Sequence, residues 1–107
     1  RCQAAQCVEE GMVRVSSPGN IGRLDLFSGN RWRRVSYSSI DSEDVSIACR
    51  QLGFTGGLDL GTSSTSCSDC TGSAYGFSCT GEESMLNDCP HSLTSGNYTS
   101  VQVSCAD

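Results

Sequence analysis

The chain has 107 residues, a length typical of one domain, and its 12 acidic side chains outnumber 7 arginines for a formal charge of −5. This negative charge balance argues against a protein that binds nucleic acids or anionic membranes in general, because both functions need clustered positive charge. Only 36 % of the residues are hydrophobic but 8 are cysteines, so we expect a disulfide-rich extracellular domain. No apolar run approaches the ~20 residues of a membrane span. The start at Arg1-Cys2 is typical of a mature or excised domain.

The first third of the sequence predicts an N-terminal extension followed by strands. Arg1 to Gly11 contains little apolar surface besides its two cysteines, so the domain itself is expected over residues 12–107. Ser28-Gly29-Asn30 is a tight turn between two alternating segments, which indicates a hairpin. The predicted strands are Met12–Val15, Gly22–Phe27 and Arg31–Tyr37.

Asp41 to Gly53 is the strongest helical segment of the chain. Asp41 or Ser42 can cap its first turn, because a short side-chain oxygen accepts an unpaired backbone N–H. Gly53 stands where a left-handed residue ends a helix. The helical spacing i, i+3, i+4, i+7 predicts a buried apolar stripe of Val45, Ala48, Cys49 and Leu52.

The second half of the sequence predicts less regular structure. Gly56 to Ser78 is rich in Gly, Ser and Thr, so we interpret it as a long loop, which we expect to be the most mobile part of the domain away from its cysteines. Glu82–Leu86 predicts one short helical turn, and the alternating tail Ser100–Cys105 predicts a strand that closes the sheet.

Three stretches in this order resemble the scavenger receptor cysteine-rich (SRCR) domain. They are Gly22–Leu26 with the following Trp32–Val35, the helix that ends in Cys-Arg-Gln-Leu-Gly at Gly53, and Cys79–Cys89 with its Cys-x-Gly-x-Glu-Ser-x-Leu-x-x-Cys pattern. The resemblance covers about Met12 to Cys105. It implies a small α+β fold in which a curved antiparallel sheet cradles one main α-helix.

The resemblance also implies two disulfides, Cys49–Cys105 and Cys79–Cys89. A further family cysteine is replaced here by Ser36, and its partner near Ser95 to Asn97 is missing too. The family pair expected near Asn20 and at Phe54 is likewise absent.

Four cysteines lie outside the family pattern: Cys2, Cys7, Cys67 and Cys70. They can pair locally, as Cys2–Cys7 and Cys67–Cys70, or across, from the extension to the long loop. We prefer cross-pairing, because it would anchor a loose N-terminus. A four-thiolate zinc site is the less favoured alternative in a secreted domain.

Many members of the SRCR family bind a divalent cation through an Asp-Asp pair and a Glu. The matching positions here are Tyr37, Ser38 and Thr99, which lack the anionic oxygens that Ca²⁺ or Mg²⁺ needs. We therefore expect no metal site and no cofactor. The nearby acidic residues of the helix start are interpreted as capping groups.

Arginines on the hairpin are the candidate ligand-binding residues. Because side chains alternate along a strand, we expect Arg31 and Arg33 on one face with Arg23 opposite, and Arg34 on the other face. Guanidinium groups suit sulfate, phosphate and carboxylate ligands. The alternative is an ordinary solvated surface on which Asp25 neutralises Arg23 or Arg33.

The remaining polar motifs do not predict catalysis. His91 is the only histidine and lies in a turn, and Glu82-Glu83 fits a helix start better than an acid–base pair. Asn97-Tyr98-Thr99 is a glycosylation acceptor by pattern.

These features predict an extracellular, non-catalytic recognition module of a larger secreted or membrane-anchored protein. We expect a monomeric domain that binds a protein or polyanionic ligand, with no nucleic-acid partner and no direct membrane insertion. The alternative is an inert accessory domain that positions the catalytic unit of a secreted enzyme.

Overall fold

The computed structural model describes residues 2–3, 6–7, 9–16, 20–38 and 40–106, and for residues 2–3 and 6–7 it describes the backbone alone. Within these ranges the helices are α1 (Ser42–Gln51) and a 3₁₀ helix (Leu86–Asp88). The strands are β1 (Cys2–Gln3), β2 (Gln6–Cys7), β3 (Val13–Val15), β4 (Ile21–Phe27), β5 (Trp32–Val35), β6 (Gly56–Thr62), β7 (Cys70–Tyr75), β8 (Ser92–Thr94) and β9 (Val101–Ala106).

The main sheet has the strand order β6-β9-β4-β5-β7-β8, and β3 pairs with the other part of β4. The predicted α+β fold with a curved sheet around one helix is confirmed. The sheet is mixed, however, because β5 and β7 run parallel while the other pairs are antiparallel. A parallel pair needs a long crossover, and here α1 and β6 supply it between the two strands. β1 and β2 form a separate two-stranded ladder.

The predicted hairpin between β4 and β5 turns at Gly29 and Asn30. Both residues have φ 68°, the left-handed conformation that a type I′ turn requires, and Ser28 N donates to Arg31 O at 2.9 Å. Glycine and asparagine are the residues that adopt this conformation most easily. The turn therefore fixes which residues of the two strands lie opposite one another.

Helix α1 begins at the predicted cap. Asp41 Oδ1 accepts from Asp44 N, and Asp44 Oδ2 accepts from Asp41 N, both at 3.0 Å. Burial raises the pKa of Asp44, whose other oxygen accepts from Cys79 N. The buried stripe differs from the prediction in one position. Leu52 is exposed because the helix ends at Gln51, and Ile47 is buried instead.

The prediction of a long loop over residues 56–78 was wrong, because this segment contains β6 and β7. Its glycines serve close packing. A Cβ at Gly57 would collide with Cys49 Sγ and would lie 2.7 Å from Ser104 O. The two strands form because β6 pairs with β9 and β7 pairs with β5, both of which are distant in sequence. The helical turn predicted at residues 82–86 is found later in the chain, as the 3₁₀ helix Leu86–Asp88.

The core lies between the sheet and α1. Its largest fully buried apolar side chains come from β4, β5, α1, the 3₁₀ helix and β9. They are Leu24, Leu26, Val35, Val45, Ile47, Leu86, Val101 and Val103. Burial of each such side chain contributes about 1.5–3 kcal/mol.

Candidate functional site

Two disulfides join the helix to the last strand and close the Cys79–Cys89 segment. Cys49 on α1 is joined to Cys105 on β9, and Cys79 is joined to Cys89. These are the two pairs that the family resemblance implies. The first closes a loop of 56 residues, for which the chain-entropy model gives roughly 4 kcal/mol.

The third disulfide joins Cys67 to Cys70, so the preferred cross-pairing to the N-terminal extension is wrong. Cys70 opens β7 opposite Trp32, and Cys67 turns back on it within three residues. The side chains of Cys2 and Cys7 lie outside the described residues, but their backbones face each other in the β1–β2 ladder. The four-thiolate zinc alternative is excluded, because two of its sulfurs are in a disulfide.

A buried carboxylate pairs with one arginine of the hairpin and with one arginine of β3. Asp25 on β4 is fully buried and accepts from Arg23 Nε at 2.8 Å and Arg23 Nη2 at 2.9 Å. It also accepts from Arg14 Nε at 2.8 Å. Arg23 is itself 5 % exposed, while Arg14 reaches outward to Asp69 at 2.7 Å. Arg23 therefore belongs to an internal ion pair, and its guanidinium presents little surface to a ligand.

The hairpin register differs from the expected one by one residue. Asp25 lies opposite Arg34 and Leu26 lies opposite Arg33. A two-residue turn pairs odd-numbered residues of β4 with even-numbered residues of β5, so Arg34, and not Arg33, shares the face of Arg23. The expected grouping of Arg33 with Arg23 was wrong for this reason.

Arg33 is buried and holds the hairpin turn to a neighbouring segment. Its Nε donates to Ser28 O at 2.9 Å and its Nη1 donates to Thr94 O at 3.2 Å. Burial, and then repulsion from Arg31, lower the pKa of Arg33. Arg31 itself is exposed at the turn.

Arg34 has an unusual set of partners for a cation. Its Nη1 donates to Asn97 Oδ1 at 2.9 Å and its Nη2 donates to Cys67 O at 3.2 Å, and both acceptors are uncharged. Across the same strands, the Arg14 guanidinium lies 4.1 Å from the centre of the Trp32 ring. We call Arg14, Trp32 and Arg34 the arginine face, with Arg31 at its adjoining turn.

A second surface is a cleft of about 490 Å³. We call it the tyrosine cleft, because it contains all three tyrosines of the chain. Tyr75 and Tyr98 meet edge to face, with ring centres 5.3 Å apart. Its described lining residues are Ser36, Tyr37, Ser38, Thr62, Tyr75, Tyr98 and Thr99. Sequence reasoning missed this cleft, because its tyrosines are separated from one another by more than twenty residues.

The tyrosine cleft occupies the positions at which the SRCR resemblance implies a cation site. Tyr37, Ser38 and Thr99 all line it, and none of its described lining residues carries a carboxylate. Hydroxyl groups alone are a poor donor set for Ca²⁺ or Mg²⁺, which prefer several carboxylate and carbonyl oxygens. The residues present here therefore do not fit the family's cation.

The candidate acid–base residues have local structural partners. His91 stacks on Phe77 with ring centres 4.7 Å apart, and its Nδ1 lies 2.7 Å from Cys89 O. Glu83 accepts from Thr80 N and Gly81 N, and these hydrogen bonds lower the pKa of Glu83. Both residues thus stabilise turns of the Cys79–Cys89 region.

Comparison with known proteins identifies the family. The model of the scavenger receptor cysteine-rich domain matches residues 13–106, so the chain belongs to this family. A scavenger receptor cysteine-rich domain superfamily protein of Patiria pectinifera is 33 % identical over 86 residues, covering 75 % of this chain and 7 % of that protein. Lysyl oxidase homolog 2A of Danio rerio is 37 % identical over 75 residues, covering 64 % of this chain and 10 % of that protein.

A solved structure of the same family has the same fold. The SRCR domain of mouse MARCO, described as a dimeric form, superposes with a TM-score of 0.68 at 24 % identity, covering 88 % of this chain and 94 % of that one. The monomeric state that we expect for this domain stays a prediction.

The family places this chain among extracellular modules of larger proteins. Its homologues are secreted proteins or receptor ectodomains, in which the domain is a receptor or ligand-binding module. SRCR domains are generally non-catalytic. The chain spans a tenth or less of the two curated relatives described above. Among the described residues, no helix combines the length and apolarity needed to cross a membrane.

Proposed function

We propose that this domain is a non-catalytic recognition module, within a larger secreted or membrane-anchored protein, that binds a protein or polyanionic ligand through its arginine face. The observation that carries the proposal is the environment of Arg34. Arg34 is half-buried, and both of its hydrogen-bond acceptors are uncharged. Its positive charge is therefore available to an anionic group of a ligand.

The ion pairs of the described residues support this assignment. Arg14 and Arg23 share the carboxylate of Asp25, and Arg14 also pairs with Asp69. No carboxylate of the described residues forms an ion pair with Arg31 or Arg34. The hairpin thus retains positive charge in a domain whose total charge is negative.

The four predicted arginines therefore divide into two groups. Arg23 and Arg33 are buried at 5 % and 9 % exposure, and each is held by contacts inside the domain. We propose that these two position the strands. Arg31 and Arg34 are the residues proposed to contact the ligand.

The test is binding of a heparin-derived oligosaccharide to the whole chain at several salt concentrations. Arg34→Gln should weaken binding at least tenfold, and binding by the unaltered chain should weaken with salt, because exposed charges are screened over ~8–10 Å. Chelation of divalent ions should have no effect. Arg50→Gln is the matched control, since it removes the same charge from the exposed last turn of α1.

Two results would contradict the proposal. Equal losses in the Arg34 and Arg50 variants would mean that the ligand responds only to total charge. Salt-independent binding would mean that the contact is not ionic. Circular dichroism of both variants would show whether the fold is retained.

The accessory-domain function is the second candidate, and it is favoured by the similarity to lysyl oxidase homolog 2A. In this case the domain would position a catalytic unit elsewhere in the protein. Turnover by the full-length protein should then fall when the domain is deleted, while Arg34→Gln should leave turnover unchanged.

A further inference from the structure

The tyrosine cleft is formed by residues from separate parts of the chain. Tyr37 follows β5, Tyr75 ends β7, and Tyr98 precedes β9. Two hydrogen bonds from backbone amides fix this arrangement: Tyr37 N donates to the backbone Thr99 O at 2.8 Å, and Tyr98 N donates to the side-chain Ser73 Oγ at 2.9 Å. The cleft is therefore held next to the ends of β5 and β7 and the start of β9.

The phenol groups of the cleft are available to a ligand. Tyr37 and Tyr98 are 43 % and 45 % exposed. None of the three phenol oxygens has a hydrogen-bond partner among the described residues. Tyrosines that serve only the core bury their rings and pair their hydroxyl groups, so these side chains do not have the environment of core residues.

The described lining residues of the cleft all carry hydroxyl groups. Three phenols and four aliphatic hydroxyls line the cleft, and none of these side chains is charged at neutral pH. Hydroxyl groups both donate and accept hydrogen bonds, and aromatic rings pack against C–H surfaces. A sugar ring presents both kinds of surface, since its C–H face is apolar and its edge carries hydroxyls. The volume of about 490 Å³ lies within the 300–1,000 Å³ typical of small-molecule sites.

We propose that the tyrosine cleft is a metal-independent binding site for an uncharged saccharide. One ring of the sugar packs against Tyr75 or Tyr98, and its hydroxyls bond to the phenols and to the Ser and Thr side chains. This site is separate from the ionic contact proposed for Arg34, and its ligand needs no anionic group. The hydroxyl lining here thus replaces the carboxylates of the family's cation site.

The experiment is an NMR titration of the ¹⁵N-labelled chain, produced without N-glycosylation, with methyl glycosides of glucose, galactose, mannose and N-acetylglucosamine. At least one glycoside should cause saturable shifts at residues 36–38, 75 and 98–99. These shifts should persist in EDTA and in high salt, which separates this site from the ionic one.

Variants on the exposed rim test the site without disturbing the core. Tyr37→Ala combined with Tyr98→Ala should weaken binding at least tenfold, while Tyr98→Phe, which keeps the ring, should lose less. Leu58→Ala is the control, because Leu58 is 59 % exposed on β6 and lies outside the cleft lining. The proposal is overturned if no glycoside causes saturable shifts up to its solubility limit, if the shifts require Ca²⁺, or if the double variant binds as well as the control.

Discussion

Asp25→Asn tests whether the internal ion pair stabilises the domain. The substitution keeps the size of the side chain but removes the charge that faces Arg23. Arg14 can still pair with Asp69, so the loss is confined mainly to the two hydrogen bonds from Arg23. Hydrogen bonds to charged groups contribute about 1.5–3 kcal/mol each, and breaking one partner of a buried pair costs about 3–5 kcal/mol. Since the amide oxygen can still accept one bond, we expect the free energy of unfolding to fall by about 3 kcal/mol.

The assay is urea unfolding of the oxidised protein, compared with Asp69→Asn. Asp69 pairs with the same Arg14 at 2.7 Å, but its side chain is 62 % exposed whereas that of Asp25 is fully buried. An exposed ion pair contributes only about 0.2–1 kcal/mol. The two variants therefore differ chiefly in burial. Equal destabilisation by both would refute the argument that burial of Arg23 makes its carboxylate partner necessary.

Further predictions concern metal, disulfides, pH and glycosylation. Millimolar Ca²⁺ should leave the melting temperature unchanged, because the tyrosine cleft lacks carboxylates; a rise of several degrees that a chelator reverses would contradict this. Mass spectrometry of non-reduced peptides should find Cys67 linked to Cys70 and no link from either to the N-terminal extension. The hydrogen bond from Arg14 lowers the pKa of Asp69, so the contribution of Asp69 to stability is present above about pH 4 and is lost as the pH falls through the lowered pKa. The difference in unfolding free energy between the unaltered chain and Asp69→Asn, measured in urea, should therefore vanish at acid pH. A difference that stays constant with pH would contradict the assignment. If Asn97 carries a glycan, enzymatic removal should strengthen both heparin and glycoside binding, since Asn97 accepts a hydrogen bond from Arg34 and directly precedes Tyr98; unchanged affinities would mean that the glycan points away.

Local signals predicted the parts of the fold that depend on local energetics. A cap, an acidic first turn and a following glycine determine where α1 begins and ends, and all three are visible within thirteen residues. The Gly29–Asn30 turn is equally local, because these two residue types tolerate positive φ. The predicted buried stripe was wrong only at Leu52, which lies after the end of the helix, where helical spacing no longer applies.

Structure that depends on distant partners could not be predicted in this way. β6 has only the short alternating stretch Leu58-Asp59-Leu60, and β7 has no large apolar residue before Tyr75, so their sequences carry little of the alternation by which strands are recognised. They form because β9 and β5 supply the hydrogen-bonding edges, and Gly57 permits close approach to Cys49. The predicted grouping of the arginines was wrong for a different reason. They do lie on the hairpin, but the register set by the two-residue turn decides which of them share a face.

The tyrosine cleft shows how the fold can keep one frame while the side chains that line it change. The hydrogen bond from Tyr37 N to Thr99 O joins two of the positions at which the family resemblance implies carboxylates, and it uses only backbone atoms. The frame therefore does not depend on which side chains these two positions carry. Tyr37 and Thr99 are exposed and lie outside the core cluster, so exchange of carboxylates for hydroxyls there costs little packing energy. The same backbone can consequently carry acidic oxygens or aromatic rings and hydroxyls at these positions, and in this chain it carries the second set.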